Sequence, residues 1–137
     1  MSKIAVIYWS GTGNTQQMAE AIANQAHADL FAASEFSPEK AADYDAFAFG
    51  CSAMGAEQLE EDEFEPMFTG CESALSGKKL ALFGSYGWGD GEWMRNWEET
   101  CLGDGAVFAG DSVICNEAPD DEADAACIAL GKKLAGE

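Results

Sequence analysis

Hydroxyl groups and glycines are concentrated in a short segment that separates an apolar run from a helical pattern. The segment contains no Lys or Arg and consists of Ser10, Gly11, Thr12, Gly13, Asn14 and Thr15. Its glycines allow backbone N–H groups to curve around an anion. The first turn of a helix adds unpaired N–H groups and the positive end of the helix dipole. We therefore expect neutral donors to hold a phosphate here, the alternative being an ordinary strand-to-helix turn capped by Asn14 or Ser10.

Other anion-binding or catalytic uses of this region fit the residues less well. A dinucleotide fingerprint, G-x-G-x-x-G, fails at Gln16, although Glu35 near the end of the second strand could serve as the ribose acid. The G-x-x-x-x-G-K pattern of a P-loop is absent. Cys51 lacks the C-x5-R arrangement of a phosphatase loop and has no nearby His, so we expect a small buried hydrophobe rather than a nucleophile.

Two later loops carry side chains and backbone suited to a flat ring system. Trp88 is flanked by Gly87 and Gly89, so we expect its ring to stack on a ligand, the alternative being a core or surface tryptophan. Met54 is soft and adaptable and is expected to cover the opposite face of the ring. Gly55 can adopt the positive φ that a type II′ turn requires.

Hydrophobic patterning predicts the strands and helices that position these loops. Apolar runs predict five strands, at residues 4–9, 28–34, 45–51, 79–85 and 106–115, the last interrupted by Gly110 and Asp111. Apolar residues at helical spacing predict helices at about 16–27, 60–75, 92–101 and 121–135, with a helical turn at 38–42.

The helices also contain residues with specific expected positions. Trp93 and Trp97 are four residues apart, so we expect both to face the core. Trp9 closes the first strand and is expected either to line the ligand or to pack. Asp120 or Asp121 is expected to cap the last helix.

Alternation of strands with helices predicts a parallel sheet covered on both faces in a single α/β domain spanning residues 1–137. Ligands bind such sheets beyond the carboxyl ends of the strands, where the loops described above lie. Cations are expected at the opposite end, at Lys3, His27, Lys78, Lys79, Lys132 and Lys133. Acids are expected to cluster toward the loops, at Glu57, Glu60, Glu61, Asp62, Glu63, Asp90, Glu92, Glu117, Asp120 and Asp121.

The composition indicates which class of partner the chain binds and in which cellular compartment it works. The formal net charge of −18 argues against nucleic acid or an anionic membrane and favours basic surfaces of other proteins. The five cysteines form no C-x-x-C pair, which indicates buried thiols in a reducing, cytoplasmic setting. No signal peptide or transmembrane stretch is recognisable, so we expect no membrane insertion.

The motifs, taken in order along the chain, resemble those of the short-chain flavodoxins. SGTGNT at 10–15 resembles the phosphate loop for FMN, AMGAE at 53–57 and GSYGWG at 84–89 match two further loops, and NEAPD at 116–120 follows the fifth strand. The resemblance implies a doubly wound five-stranded parallel sheet of order 2-1-3-4-5 and electron transfer by bound FMN. It implies cofactor contacts by Ser10, Gly11, Thr12, Gly13, Asn14, Thr15, Ser52, Ala53, Met54, Gly55, Ala56, Glu57, Ser85, Tyr86, Gly87, Trp88, Gly91 and Asn116.

The same resemblance implies individual roles for several of these residues. Ser85 would donate to the phosphate, Asn116 would contact the pyrimidine edge, and Glu57 would accept a hydrogen bond from flavin N3–H. The carbonyl of the Gly55–Ala56 peptide would accept from flavin N5–H once one electron and one proton have arrived. No catalytic residue and no metal is expected.

We therefore expect a low-potential one-electron carrier, a monomer that cycles between the semiquinone and hydroquinone and docks onto basic surfaces of redox partner proteins. One alternative is a flavodoxin-like, FMN-dependent NAD(P)H:quinone reductase, against which the compact loops and Trp88 argue. Another is a flavodoxin-like activator of ribonucleotide reductase, which would need a dedicated partner.

Overall fold

A computed structural model describes residues 3–9, 13–52, 63–86, 92–110, 112–116 and 119–136 of the chain. The strands are β1 (Ile4–Trp9), β2 (Asp29–Ala32), β3 (Ala46–Cys51), β4 (Lys79–Tyr86), β5 (Val107–Phe108) and β6 (Val113–Asn116). The helices are α1 (Asn14–Ala26), α2 (Phe64–Cys71), α3 (Glu92–Gly103) and α4 (Asp121–Leu134). Short 3-10 turns lie at Ala33–Glu35, Pro38–Asp43 and Glu72–Ala74.

The strands form one parallel sheet in the order β2-β1-β3-β4, with β5 and β6 both paired to β4. These last two segments are the halves of the predicted fifth strand, because Lys79 pairs with Val107 and Phe83 pairs with Val113. The break between them falls at the predicted interruption around Gly110. The expected α/β class and the order 2-1-3-4-5 are confirmed.

Alternation along the strands divides the core into two layers. Side chains such as Phe47, Phe49 and Leu82 face the layer that contains α2 and α3. Small side chains such as Ala46 and Ala48 face α1 and α4 on the other side. One face is therefore filled by aromatic rings, whereas the other allows helices to approach the strands closely.

A glycine in β3 makes room for a fully buried aromatic ring on the α1 and α4 face. Phe83 of β4 is fully buried in this layer. A Cβ atom at Gly50 would lie 2.0 Å from Cε2 of Phe83, so no side chain fits there. Gly50 and Phe83 are paired in register on neighbouring strands. The ring of Phe83 fills the space that a side chain at position 50 would occupy.

The predicted helix at 60–75 is shorter in the structure. Of its described part, α2 covers Phe64–Cys71 and a 3-10 turn continues to Ala74, while residues 60–62 lie outside the described residues. Pro66 lies in the first turn, where its missing N–H is not needed. Gly70 allows α2 to pack closely on Pro38, because a Cβ at this position would lie 2.7 Å from Cγ of Pro38.

The predicted strand at 28–34 is also shorter, since the chain turns into the 3-10 segment at Ala33. Helix α1 ends at Ala26, one residue before the expected end, because His27 adopts a left-handed conformation with φ 55°. Helix α4 begins as predicted, with the carboxylate of Asp120 accepting from the N–H of Ala123 at 2.8 Å. None of the helices in the described ranges is long and apolar enough to cross a membrane.

Candidate functional site

The carboxyl edge of the sheet brings together the described members of the predicted site. Gly13, Asn14 and Thr15 come after β1 in the chain, and Ser52 directly follows β3. Ser85 is the second-to-last residue of β4. Tyr86 ends β4 and pairs in register with Asn116, the last residue of β6. The remaining predicted site residues lie outside the described ranges: Ser10, Gly11, Thr12, Ala53, Met54, Gly55, Ala56, Glu57, Gly87, Trp88 and Gly91.

A buried cluster of hydroxyl and amide groups joins three of these segments. The Thr15 side chain has no solvent exposure, and its Oγ1 lies 2.8 Å from Oγ of Ser52. The same Oγ1 accepts a hydrogen bond from the backbone N–H of Ser85 at 3.3 Å. Thr15 therefore links the start of α1 to the ends of β3 and β4. Sequence reasoning named all three residues, but their mutual contact depends on the sheet order.

The first turn of α1 starts from a glycine. Gly13 is the N-cap residue and has φ 93°, in the left-handed region that glycine tolerates best. It has no side chain that could accept from the N–H groups of the first turn. Neither Asn14 nor Ser10 is the cap residue, since Asn14 is already the first residue of α1.

An unexpected contact lies beside this cluster, at the end of β3. The indole N–H of Trp93 donates to the carbonyl oxygen of Cys51 at 3.3 Å. Trp93 and Trp97 face the core as predicted, with 2% and 3% of their surfaces exposed. Apolar spacing indicates burial but carries no information about where an indole N–H points, so the sequence did not reveal this bond.

The basic residues lie mainly at the far edge of the sheet. Lys3 precedes β1, Lys78 precedes β4, and the last turn of α4 contains Lys132 and Lys133. Arg95, in the first turn of α3, lies toward the carboxyl edge instead. The expected separation of cations from the loops thus holds for the residues for which it was predicted, but not for every cation.

All five cysteines are buried free thiols, which confirms the predicted burial. Burial raises the pKa of the thiol to about 11 for Cys71 and to about 12 for Cys127, with added repulsion from nearby ionisable groups for the latter. Cys101 is raised to about 12 by burial and by Asp104, Glu72 and Glu98. These three thiols are therefore protonated at neutral pH and do not act as nucleophiles.

Comparison with known proteins agrees with this geometry. The Flavodoxin family model matches residues 6–131. The chain belongs to the flavodoxin family. A flavodoxin of Clostridium beijerinckii is 47% identical over 135 residues, which cover 95% of this chain and 97% of that protein. A flavodoxin of Megasphaera elsdenii is 42% identical over 137 residues, covering 96% and 98%.

A solved structure supports the family at the level of the fold. The solution structure of two-electron reduced Megasphaera elsdenii flavodoxin has a TM-score of 0.88 and 39% identity, covering 98% of this chain and 99% of that chain. Flavodoxins bind FMN and transfer electrons. This member of the family is accordingly an FMN-binding electron-transfer protein rather than an enzyme.

Proposed function

We propose that this chain is a monomeric, single-domain carrier, residues 1–137, that works at low potential in the cytoplasm and passes one electron at a time between redox partner proteins. FMN supplies the chemistry, cycling between its semiquinone and hydroquinone. The observation that carries the proposal is the contact of Thr15 with both Ser52 and Ser85, at the carboxyl edge of a flavodoxin sheet.

The described groups fit the phosphate of FMN. Helix α1 begins at a glycine whose positive φ opens the start of the helix, and the helix dipole favours an anion there. Hydroxyls of Thr15 and Ser52 lie within 2.8 Å of each other beside this helix start. We propose that residues 10–15, Ser52 and Ser85 hold the phosphate with neutral donors.

The ring contacts are assigned to the two other loops. We propose that Met54 and Trp88 cover opposite faces of the flavin, and that Tyr86, Gly87, Gly91 and Asn116 line its edges. Glu57 would accept from N3–H, Ala56 would lie in the Met54–Glu57 turn, and Ala53 would contact the cofactor beside it. The carbonyl of the Gly55–Ala56 peptide would accept from N5–H only when that proton is present, which would stabilise the one-electron reduced state.

We expect acidic side chains around the flavin to lower its second one-electron potential, that of the semiquinone–hydroquinone couple. One carboxylate about 10 Å from an added negative charge costs about 0.4 kcal/mol in water, and physiological salt reduces this about threefold. Since about 1.4 kcal/mol corresponds to about 59 mV for one electron, each such carboxylate lowers the potential by about 6 mV, and the acids near the loops together with the phosphate lower it by tens of millivolts. The net charge of −18 supports both a lowered second potential and the docking of partners through basic surfaces.

A titration of the apoprotein with FMN, followed by stepwise reduction, tests the proposal. We expect a yellow complex with submicromolar affinity that turns blue after one electron. Replacing Gly55 by Val should lower the maximum yield of the blue state, because a β-branched side chain disfavours positive φ. A chain that does not bind FMN at micromolar concentration would refute the proposal, and unchanged yield in the Gly55→Val variant would refute the peptide role.

Partner docking has a separate test. The rate of electron transfer to a basic acceptor such as cytochrome c should fall steeply as salt is added, because screening weakens long-range attraction. A rate that does not depend on ionic strength would contradict electrostatic docking.

A further inference from the structure

The bond from Trp93 to Cys51 joins a residue that precedes one proposed cofactor loop to a residue that follows another. Cys51 ends β3, and its carbonyl precedes the 53–57 segment by two residues. Trp93 is the second residue of α3 and follows the 87–91 segment. Both residues are buried, at 0% and 2% exposure, so the hydrogen bond of 3.3 Å is shielded from water.

The local packing fixes this carbonyl closely. The paired register of β3 with β4 ends at Gly50 and Phe83, one residue before Cys51. A Cβ atom at Gly84 would lie 2.2 Å from the Cys51 oxygen and 3.2 Å from Cζ2 of Trp93. The carbonyl and the indole therefore meet over a backbone that carries no side chain. The ring of Tyr86 also packs against the indole of Trp93, in a tilted arrangement with 5.6 Å between the ring centroids.

We propose that Trp93 is a positioning residue for the flavin, fixing the end of β3 at Cys51 to the start of α3 through the Cys51 carbonyl. This inference rests on the proposed contacts of residues 53–57 with FMN. A loop whose starting point is fixed loses less conformational freedom when the cofactor binds. Trp93 thus acts on affinity and potential through the loops, without touching the ring itself.

Trp97 provides a matched control on the same helix. It is buried to the same degree, at 3% exposure, and its indole N–H has no hydrogen-bond partner in the part of the chain that the structure describes. Replacing either tryptophan by Phe removes the same atoms from the same core layer. Only the Trp93→Phe variant removes the donor to Cys51.

Hydrogen exchange of the apoprotein gives a direct readout of loop positioning. In Trp93→Phe we expect faster exchange in peptides covering 51–58 and 86–92, and in Trp97→Phe no selective change there. We also expect the dissociation constant for FMN to rise about 2- to 12-fold in Trp93→Phe, the factor that corresponds to one typical buried hydrogen bond. The first one-electron potential should fall in the same variant.

Benzothienylalanine at position 93 separates the hydrogen bond from packing, since it keeps the shape of indole and lacks the N–H. It should reproduce the effects of Trp93→Phe on exchange and affinity. Equal effects of Trp93→Phe and Trp97→Phe, or a benzothienylalanine variant that behaves as the unsubstituted protein, would overturn the inference. Failure of the unsubstituted chain to bind FMN would instead refute the proposed function, which keeps the two outcomes distinct.

Discussion

Replacement of Thr15 by Val tests the hydroxyl cluster directly. Valine has the same shape but lacks the oxygen that contacts Ser52 at 2.8 Å and accepts from the N–H of Ser85 at 3.3 Å. Ser85 is only 4% exposed, so its N–H would remain buried without this acceptor, at a cost of about 1–3 kcal/mol. Losing the bond to Ser52 adds about 1 kcal/mol.

We therefore expect the apoprotein to lose about 2–4 kcal/mol in free energy of unfolding, or about 7–14 °C in melting temperature for a domain of this size. Urea unfolding followed by circular dichroism measures the change, with an unaltered m-value showing that the unfolding transition is the same. FMN affinity should fall as well, since the hydroxyl belongs to the proposed phosphate site.

The matched control is Thr15→Ser, which keeps both hydrogen bonds and loses one buried methyl group. Its cost should be about 1 kcal/mol. A double-mutant cycle with Ser52→Ala should show coupling of about 0.5–1.5 kcal/mol between the two hydroxyls. If serine destabilises as much as valine, or if the coupling is zero, packing rather than hydrogen bonding explains the burial of Thr15.

Three further predictions, two of them with a control substitution, test other parts of the structure. Gly84→Ala should cost about 3 kcal/mol or more, because its Cβ would lie 2.2 Å from a carbonyl oxygen of β3, whereas Gly103→Ala, with nothing within 4 Å, should be neutral or stabilising in urea unfolding. Burial and the Asp104 side chain raise the pKa of Glu72. Its ionised form, present at neutral pH, is therefore less favourable in the folded chain than in the unfolded chain. Glu72→Gln should then add a few tenths of a kcal/mol at pH 7, a gain that disappears below about pH 4. Asp120→Ala should cost about 1 kcal/mol in thermal unfolding and Asp120→Asn much less, since only the first removes the cap of α4.

Much of the fold could be predicted from local patterns. The apolar runs gave each strand to within a few residues, and the interruption at Gly110 gave the break between β5 and β6. The ends of α1 and β2 were less accurate, because they depend on single backbone conformations such as the left-handed His27. Hydrophobic periodicity does not determine such conformations.

The amino-acid sequence by itself determined which segments could meet a phosphate and a flat ring, because residue types and glycine spacing decide which donors and which turns a loop can offer. Only the tertiary structure decided which groups touch. Thr15 reaches Ser52 and Ser85 because β1, β3 and β4 are neighbours in the sheet. Trp93 reaches Cys51 because Gly84 leaves space between them. Hydrogen bonds between residues 37–70 positions apart depend on strand order and register, and those are properties of the folded chain as a whole.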